Sequence, residues 1–445
     1  MYNDYIGSDN MKYYCLGIKG AGMSTLANIL HDLGNTVVGY DDVKDYKFTC
    51  EGLEKRNIKI YYDNEHELDK DMIVTYSVAL PLDHKELVRC KEAGLTIKKY
   101  NDILGEITSM FETICVSGTH GKTTTSSLIT HILQGREEVN FFIGDGSGHA
   151  TRDNKLFVIE SDEFNRHFLT YHPVYTVITN IELEHTEIYK DIEDIKETFK
   201  KFADKTEKTI VACGDNLNIR DIIFDKTVIY YGFNKDNDVY ADNIVMSDKG
   251  SSFDIYMNKE LFGHFDLPLF GKHMILNAIA SIIICNLEGI SKDMMIERLS
   301  DFKNAKRRFA IEEVNNTIII DDYAHHPTEI KVTLEAARQK YPDRELVAVF
   351  KPNTYSRTEK FPKEFQDALN VADIQYLTEI ECNREKAEDY GNVTSKVIFD
   401  GLNNGYMASD TDIYDIAKHK GSVICIMSCA SISHLKENLI EELKK

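Results

Sequence analysis

The chain has 445 residues, which is more than one domain usually contains and predicts two to four domains. Hydrophobic residues make up 42% and charged residues 28% of the chain, an ordinary globular composition. The 52 Lys and Arg against 73 Asp and Glu give a formal net charge of −21, which disfavours general binding to nucleic acid or to an anionic membrane.

The first predicted α/β unit begins with a short apolar strand that runs into a glycine turn at 17–22. A helix with apolar residues at helical spacing follows, and the next strand ends in Asp41 and Asp42. This order of strand, glycine turn, helix, strand and acid is typical of a doubly wound α/β domain. The unit is predicted to contain strands at 13–17, 36–40, 72–76 and 95–98, and a helix at 23–33.

A second unit is predicted to begin with the apolar strand 113–117, which leads into another glycine turn and a helix at 125–133. The stretch 253–265 alternates in the manner of a β-strand, and 273–287 has the composition of a long buried helix. Further elements of this unit are predicted as strands at 156–159 and 174–179 and a helix at 194–202.

A third unit is predicted from about residue 312, with strands at 317–320 and 346–350 and a helix at 330–340. Three successive units of this kind predict an α/β protein. The predicted domains are 1–108, 109–311 and 312–445.

The cysteines and the apolar segments point to a reduced, cytoplasmic protein. Nine cysteines are scattered along the chain, and only Cys425 and Cys429 are close together, so they do not form a disulfide framework. The first residues lack a basic stretch followed by an apolar one, so we expect no secretory signal there. The longest apolar run, 278–285, is too short to cross a bilayer.

The strongest single motif is the glycine turn of the second unit, 118–123 (GTHGKT). Glycines allow backbone N–H groups to turn toward phosphate oxygens, and the following helix adds a favourable dipole. Lys122 can reach terminal phosphates, and the Thr123 hydroxyl is placed to bind Mg²⁺. The loop is two residues shorter than the full phosphate-loop spacing, because Val116 stands where a glycine is usual.

Acids follow two strands of the same unit, at 160–163 (ESDE) and 180–185 (NIELEH). The carboxyl ends of parallel strands face the crevice in which a phosphate loop also lies. Hard cations prefer oxygen ligands, with at most an occasional imidazole. We therefore predict a metal role for Glu163 and His185, whereas Glu160 or Glu184 alone would be interpreted as solvated acids.

Several strings of the sequence, in the same order along nearly the whole chain, resemble the Mur ligases. They are 118–125 (GTHGKTTT), 160–163 (ESDE), 179–185 (TNIELEH), 321–329 (DDYAHHPTE) and 351–358 (KPNTYSRT). The last two are specific to the branch that adds alanine. The resemblance implies three domains: a Rossmann-like N-terminal domain that holds a UDP-sugar, a central P-loop ATPase domain with a mixed or parallel sheet, and a Rossmann-like C-terminal domain.

The resemblance also implies that the first glycine turn holds UDP rather than a dinucleotide. Gly20, Gly22, Asp41 and Ser77 match positions on the UDP side. Lys19 stands where the dinucleotide fingerprint has its second glycine, and a side chain there hinders the approach of a pyrophosphate.

Residue by residue, the resemblance assigns three groups of contacts. The residues that it implies for ATP are Gly118, Thr119, His120, Gly121, Lys122, Thr123, Thr124, Asn277, Arg308 and Asp321. Those that it implies for Mg²⁺ are Thr123, Glu163 and His185. Those that it implies for catalysis are Lys122, His326 and Arg357, where a histidine such as His326 would orient or deprotonate the incoming amine, and those that it implies for the other substrates are His325 and Arg357.

The sequence departs from the family pattern at two places. Met274 stands where a second adenine-side asparagine is usual, and 427–432 (MSCASI) lacks the glycines of the expected turn near the C-terminus. Lys196, Lys200 and Lys201 follow His185, and we interpret them as a solvated helix face rather than as metal ligands.

The implied reaction joins L-alanine to the lactyl carboxylate of UDP-N-acetylmuramate through an acyl phosphate made from ATP. We expect small-molecule substrates, no nucleic-acid or membrane partner, and a monomer or homodimer. One alternative is a sibling ligase that adds a peptide to the same nucleotide sugar. Alternatives from other classes are an NAD-dependent oxidoreductase, suggested by the first glycine turn, and a non-catalytic nucleotide-binding switch.

Overall fold

Three β-sheets succeed one another along the chain in the computed structural model, which describes residues 10–77, 79–304, 307–382, 385–409, 413–429 and 433–445. The residues divide into two compact units. Unit 1 comprises the residues up to 183 together with 192–239 and 279–298, and unit 2 comprises 184–191, 240–278 and 299–445. No helix among the described residues is long and apolar enough to cross a membrane.

The first sheet, in unit 1, has five parallel strands in the order β3-β2-β1-β4-β5. Its strands are β1 (Lys12–Leu16), β2 (Thr36–Tyr40), β3 (Lys59–Tyr61), β4 (Met72–Tyr76) and β5 (Thr96–Lys99). Its helices are α1 (Ala21–Asp32), α2 (Cys50–Lys55), α3 (Lys85–Glu92) and α4 (Tyr100–Thr108). The strand order reverses between β1 and β4, so the crevice at their carboxyl ends is the expected ligand position of a doubly wound fold.

Unit 1 also contains seven strands in the order β12-β11-β10-β6-β9-β7-β8, parallel except for the short β7–β8 pair. The strands are β6 (Glu112–Ser117), β7 (Asn140–Phe142), β8 (Gly148–His149), β9 (Leu156–Glu160), β10 (Tyr175–Ile178), β11 (Thr209–Cys213) and β12 (Val228–Gly232). The associated helices are α5 (Lys122–Leu133), α6 (Ile192–Ala203) and α7 (Leu217–Arg220), with a 3₁₀ helix at Phe164–Thr170.

The stretch at 253–265, which alternates in the β manner in the sequence, forms a hairpin of two strands. Its arms are β14 (Gly250–Met257) and β15 (Glu260–Leu267), which pair antiparallel after β13 (Val239–Ser247). Asn258 and Lys259 form the turn with φ angles of 50° and 68°, which is the backbone of a tight hairpin without the usual glycine. The helices α8 (Lys272–Leu287) and α9 (Lys292–Ser300) follow.

The third sheet, in unit 2, has the order β16-β17-β21-β18-β19-β20, parallel except for β16. Its strands are β16 (Ala310–Val314), β17 (Thr317–Asp322), β18 (Leu346–Phe350), β19 (Ile374–Leu377), β20 (Gly405–Met407) and β21 (Val423–Met427). Its helices are α10 (Pro327–Lys340), α11 (Tyr355–Lys360), α12 (Pro362–Leu369), α13 (Lys396–Phe399), α14 (Ile413–Ile416) and α15 (Ser433–Lys444), with a 3₁₀ helix at Ala387–Tyr390.

The third sheet is buried on both faces, because successive strand residues enter opposite cores. Ile318 and Ile320 pack in one core, and Ile319 between them packs in the other. At the end of this strand, Asp322 bonds to the loop before α10 through the Ala324 N–H. The three-domain α/β architecture expected from the sequence is confirmed, whereas the proposed boundaries after residues 108 and 311 stay predictions.

Candidate active site

The glycine turn at 118–121 connects β6 to α5, as the sequence predicts, but α5 begins three residues earlier than expected, at Lys122. Gly121 caps this helix with φ at 82°, and Gly118 has φ at 134°. A Cβ at Gly118 would lie 2.0 Å from the Thr179 hydroxyl oxygen, so only glycine fits there. Both glycines are therefore required by the geometry of the turn.

Asn180, which was not among the predicted site residues, holds the turn in place. Its backbone carbonyl accepts the Thr119 N–H at 3.0 Å, and its side-chain amide forms two bonds with the His120 backbone, at 2.9 and 3.0 Å. The Thr119 hydroxyl accepts the Glu182 N–H at 2.9 Å. The polar residues that follow β10 therefore support the turn. Their position at the end of a strand was the feature of the sequence from which this role could have been predicted.

Lys122 lies at the start of α5 with its side chain 13% exposed and its ammonium group surrounded by oxygen atoms. Its Nζ donates to the carbonyls of Gly118 and Thr119, at 2.6 and 3.0 Å, and to Oε2 of Glu163 at 2.8 Å. Burial alone would lower the pKa of Lys122, but the Glu163 carboxylate raises it above its usual value. Lys122 is therefore a fixed positive charge at the helix N-terminus, where phosphates bind.

The residues predicted to bind Mg²⁺ lie partly in each unit. Thr123 is in the first turn of α5 and Glu163 is fully buried after β9, both in unit 1. A hydroxyl and a carboxylate are the hard oxygen donors that Mg²⁺ prefers, so these two side chains fit the ion. His185 belongs to unit 2, where its Nδ1 lies 3.7 Å from Glu187.

Residues of the first sheet and of α4 adjoin the first glycine turn. Gly17 has φ at 72°, and Gly20 caps α1. A Cβ at Gly22 would lie 2.7 Å from the Tyr100 hydroxyl oxygen. Ser77, directly after β4, donates its N–H to the Leu16 carbonyl at 3.0 Å, so its backbone adjoins the start of the turn.

The buried side chains of Lys19 and Asp41 stabilise the first glycine turn through hydrogen bonds to the backbone. The Lys19 side chain is only 2% exposed, and its ammonium donates to the carbonyls of Val43, Lys44 and Asp45 at 2.8 to 3.2 Å. The Asp41 carboxylate accepts the N–H groups of Lys19 and Val43, at 2.9 and 3.1 Å. Both side chains therefore hold the loop at 43–45 against the turn.

Arg357 lies at the centre of a buried polar cluster in unit 2. Its Nη1 donates to Asn353 and Thr354 at 3.0 and 3.3 Å, and its Nη2 donates to the carboxylate of Glu184. Oε2 of Glu184 lies 3.9 Å from Nε2 of His326. Burial alone would raise the pKa of Glu184, but the charge of Arg357 holds it well below its usual range. Glu184, interpreted from sequence as a solvated acid, is in fact buried.

The two tandem histidines make different contacts at the start of α10. Nδ1 of His326 accepts the Thr328 N–H at 3.3 Å, and Oε2 of Glu329 accepts the N–H groups of His325 and His326 at 3.0 and 3.2 Å. This is a capping box with histidine in the capping position. Nδ1 of His325 lies 3.0 Å from the Tyr323 carbonyl oxygen.

The acids that end β17 hold two neighbouring loops. The buried carboxylate of Asp322 accepts the Phe309 N–H at 2.7 Å and the Ala324 N–H at 2.8 Å. Asp321 instead pairs with Arg307 at 3.3 Å and with Lys436 at 3.6 Å. Burial raises the pKa of Asp322 to about 6. Asp322 therefore ties the 307–309 segment to the histidine loop.

Arg308 and Asn277 are two further predicted residues of unit 2. The Arg308 guanidinium is 5.2 Å from the centre of the Tyr323 ring. Asn277 is buried in α8, with its Nδ2 4.0 Å from Sδ of Met274. The predicted turns that include Val78, Lys306 and 430–432 lie partly outside the described residues.

The lysines of α6 form ion pairs with acids of unit 1, although the Lys196 side chain is only 11% exposed. Lys196 pairs with Glu193 at 3.0 Å and with Asp221 at 3.3 Å. Lys200 pairs with Asp204 at 3.0 Å, and Lys201 with Glu197 at 2.7 Å.

Three family models match successive parts of the chain. They are described as the Mur ligase family catalytic domain, matching residues 12–112, the Mur ligase middle domain, matching 116–285, and the Mur ligase glutamate ligase domain, matching 307–428. The chain belongs to the Mur ligase family. The resemblance seen in the sequence strings is thereby confirmed, and the oxidoreductase alternative is left without support.

Solved structures show how far the likeness of this Mur ligase extends. The UDP-N-acetylmuramate-alanine ligase MurC from Thermotoga maritima is 25% identical, with a TM-score of 0.80 over 97% of this chain and 98% of that one. A murein peptide ligase from Psychrobacter arcticus is 24% identical, with a TM-score of 0.72 over 98% and 99%. A MurF ligase from Thermotoga maritima, in complex with ADP, is 18% identical, with a TM-score of 0.64 over 92% and 95%.

Proposed function

We propose that this Mur ligase is the alanine-adding enzyme of peptidoglycan precursor synthesis. It would join L-alanine to the lactyl carboxylate of UDP-N-acetylmuramate and convert ATP to ADP and phosphate. The observation that carries this proposal is the likeness to a UDP-N-acetylmuramate-alanine ligase over 97% of the chain, at 25% identity and a TM-score of 0.80.

Amide formation from a carboxylate requires that one carboxylate oxygen becomes a leaving group. In the proposed reaction the lactyl carboxylate attacks the γ-phosphorus of ATP, and ADP leaves with the electron pair of the broken bond. The amine then attacks the carbonyl carbon of the acyl phosphate, and inorganic phosphate leaves. No covalent enzyme intermediate is needed, because positioning and charge neutralisation account for most of phosphoryl transfer.

Lys122 supports the first step through its position. Its ammonium group is held by the Gly118 and Thr119 carbonyls at the N-terminus of α5, next to Glu163. A fixed cation there would offset charge on the phosphate that is transferred. Thr123 and Glu163 would hold Mg²⁺, which when bound supplies further neutralisation of the phosphate charge.

Arg357 supports binding of the anionic acyl group. Its guanidinium is held rigidly by Asn353, Thr354 and Glu184, while its Nε–H makes no hydrogen bond to the residues that the structure describes. A fixed guanidinium with a remaining donor is suited to a carboxylate or phosphate oxygen.

The second candidate is a ligase that adds a peptide to the same nucleotide sugar. It is favoured by the likeness of the fold to a murein peptide ligase, with a TM-score of 0.72 over 98% of the chain. The activation chemistry would be the same, and only the amine would differ.

The test is phosphate release from ATP by the purified full chain with UDP-N-acetylmuramate and a panel of amines. The panel contains L-alanine, L-serine, glycine and a tripeptide that begins with L-alanine. We expect release that depends on L-alanine and a product of the corresponding mass. Release with the tripeptide and none with L-alanine would instead identify the peptide ligase.

A further inference from the structure

The ring of His325 has one nitrogen fixed as a hydrogen-bond donor. Nδ1 lies 3.0 Å from the carbonyl oxygen of Tyr323 and 3.1 Å from Oε2 of Glu329. Carbonyl and carboxylate oxygens only accept hydrogen bonds, so Nδ1 carries the proton. The neutral ring therefore has its lone pair on Nε2, and none of the residues described by the structure forms a hydrogen bond with that atom. The side chain is 20% exposed, so a small molecule can reach it.

The ring of His326 has the opposite arrangement. Its Nδ1 accepts the Thr328 N–H at 3.3 Å as the cap of α10, so the lone pair of the neutral ring is already used. Its Nε2 must then carry the proton, and that atom lies 3.9 Å from the Glu184 carboxylate. While His326 caps the helix, it offers no lone pair to a substrate.

We propose that His325 is the base that receives a proton from the ammonium group of the incoming amino acid. This rests on the proposed ligase function. Nε2 of His325 takes one proton and leaves a neutral amine, which attacks the acyl phosphate carbon as the bond to phosphate breaks. The second proton of the new amide nitrogen goes to the departing phosphate, and His325 releases its own proton to solvent.

The charges around His325 suit this role. Burial and the charge of Arg357 lower the pKa of its ring, whereas Glu329, Glu184 and the Tyr323 carbonyl raise it. The net effect is a pKa below the usual value. The ring is therefore neutral and able to accept a proton near neutral pH. When it becomes charged, the Glu329 carboxylate at Nδ1 stabilises the imidazolium, as the carboxylate partner of a general base does.

The test compares two nucleophiles in His325→Gln. Because hydroxylamine is largely unprotonated at neutral pH, it needs no base to attack an acyl phosphate. With L-alanine, we expect the variant to lose about 100-fold in kcat, with the KM for ATP and for UDP-N-acetylmuramate within about 3-fold of wild type. With hydroxylamine in place of L-alanine, hydroxamate formation should stay within about 3-fold of wild type.

The pH dependence of kcat gives a second readout, which would not change if His325 had only a structural role. For the wild-type chain, kcat with L-alanine should fall as the pH drops and His325 becomes protonated, and His325→Gln should lack this acid limb. The exposed His264→Gln on β15 is the matched control and should behave as wild type.

Two outcomes would overturn the assignment of His325. One is turnover of His325→Gln with L-alanine within about 3-fold of wild type, and the other is an equal loss of the alanine and hydroxylamine reactions. A wild-type chain that forms neither amide nor hydroxamate from UDP-N-acetylmuramate and ATP would contradict the proposed ligase function instead.

Discussion

The guanidinium of Arg357 donates a hydrogen bond to the carboxylate of Glu184, although the two residues lie 173 positions apart in the chain. Both side chains are buried, at 8% and 6% exposure. Removing one member of such a pair leaves the other as an uncompensated buried charge. The pair therefore links the position of Arg357 to an acid that the sequence alone would place in solvent.

Glu184→Gln should destabilise the chain, because the Arg357 charge would lose its compensating carboxylate. We expect the free energy of unfolding to fall by about 3 kcal/mol, measured by urea denaturation. The control is Asp367→Asn, which removes an exposed pair with Lys363 and should cost less than about 0.5 kcal/mol. Equal effects of the two substitutions would mean that the Glu184–Arg357 bond does not form in solution.

Lys122→Ala should lower turnover by about 100- to 1000-fold, because the fixed cation at the start of α5 is lost. The measurement is phosphate release at saturating ATP and UDP-N-acetylmuramate, with circular dichroism to show that the variant is folded. Lys201→Ala on the surface of α6 is the control and should retain full activity. Retained activity in Lys122→Ala would mean that the phosphate loop is misassigned.

Gly118→Ala should unfold the phosphate loop, because its φ is 134° and its Cβ would meet Thr179 at 2.0 Å. Gly94→Ala is the matched control, since its φ is 75° with no atom within 4 Å of the added carbon. We expect Gly94→Ala to cost about 1 kcal/mol of stability from backbone strain alone. Gly118→Ala should cost more and abolish ATP binding measured by calorimetry. Similar costs would show that the loop adapts to the added carbon.

Asp322 should make the wild-type chain lose stability as the pH rises. Burial raises its pKa to about 6 from an ordinary value of 3.8, so the neutral form favours the folded chain. This contribution is fully present below pH 3.8 and is lost as the pH rises through about 6.

Unfolding curves from pH 4 to 8 test this by comparison with Asp322→Asn. Over that range the wild-type free energy of unfolding should fall by about 3 kcal/mol relative to the variant. The curve for Asp367→Asn should run parallel to wild type. A constant difference between wild type and Asp322→Asn would show that Asp322 does not titrate in this range.

Much of the fold could be predicted because its strands are local apolar runs with clear ends. The strands Thr36–Tyr40, Met72–Tyr76 and Leu346–Phe350 have the predicted bounds. The alternation at 253–265 predicts β structure but not the position of the turn, because the turn uses Asn258 and Lys259 without the glycine that usually marks a hairpin.

The candidate site was less predictable, since its contacts depend on distance in space. The Glu184–Arg357 bond joins residues that no local pattern connects. The difference between His325 and His326 depends on whether Nδ1 faces a hydrogen-bond acceptor or a donor, and that information is absent from residue types. The capping box of His326 and Glu329 carried no such signal, because the usual capping residues are Ser, Thr, Asp and Asn rather than His.

Lys19 has a consequence for how this sequence can change. Its ammonium group satisfies the carbonyls of three successive residues, 43–45, and its side chain is almost wholly inaccessible to solvent. An exchange of Lys19 for glycine, toward a dinucleotide fingerprint, would leave all three carbonyls without their donor. The loop would have to change first, so the residue tolerated at position 19 depends on a segment more than twenty residues away. A single exchange at position 19 therefore does not convert this glycine turn into a dinucleotide-binding one.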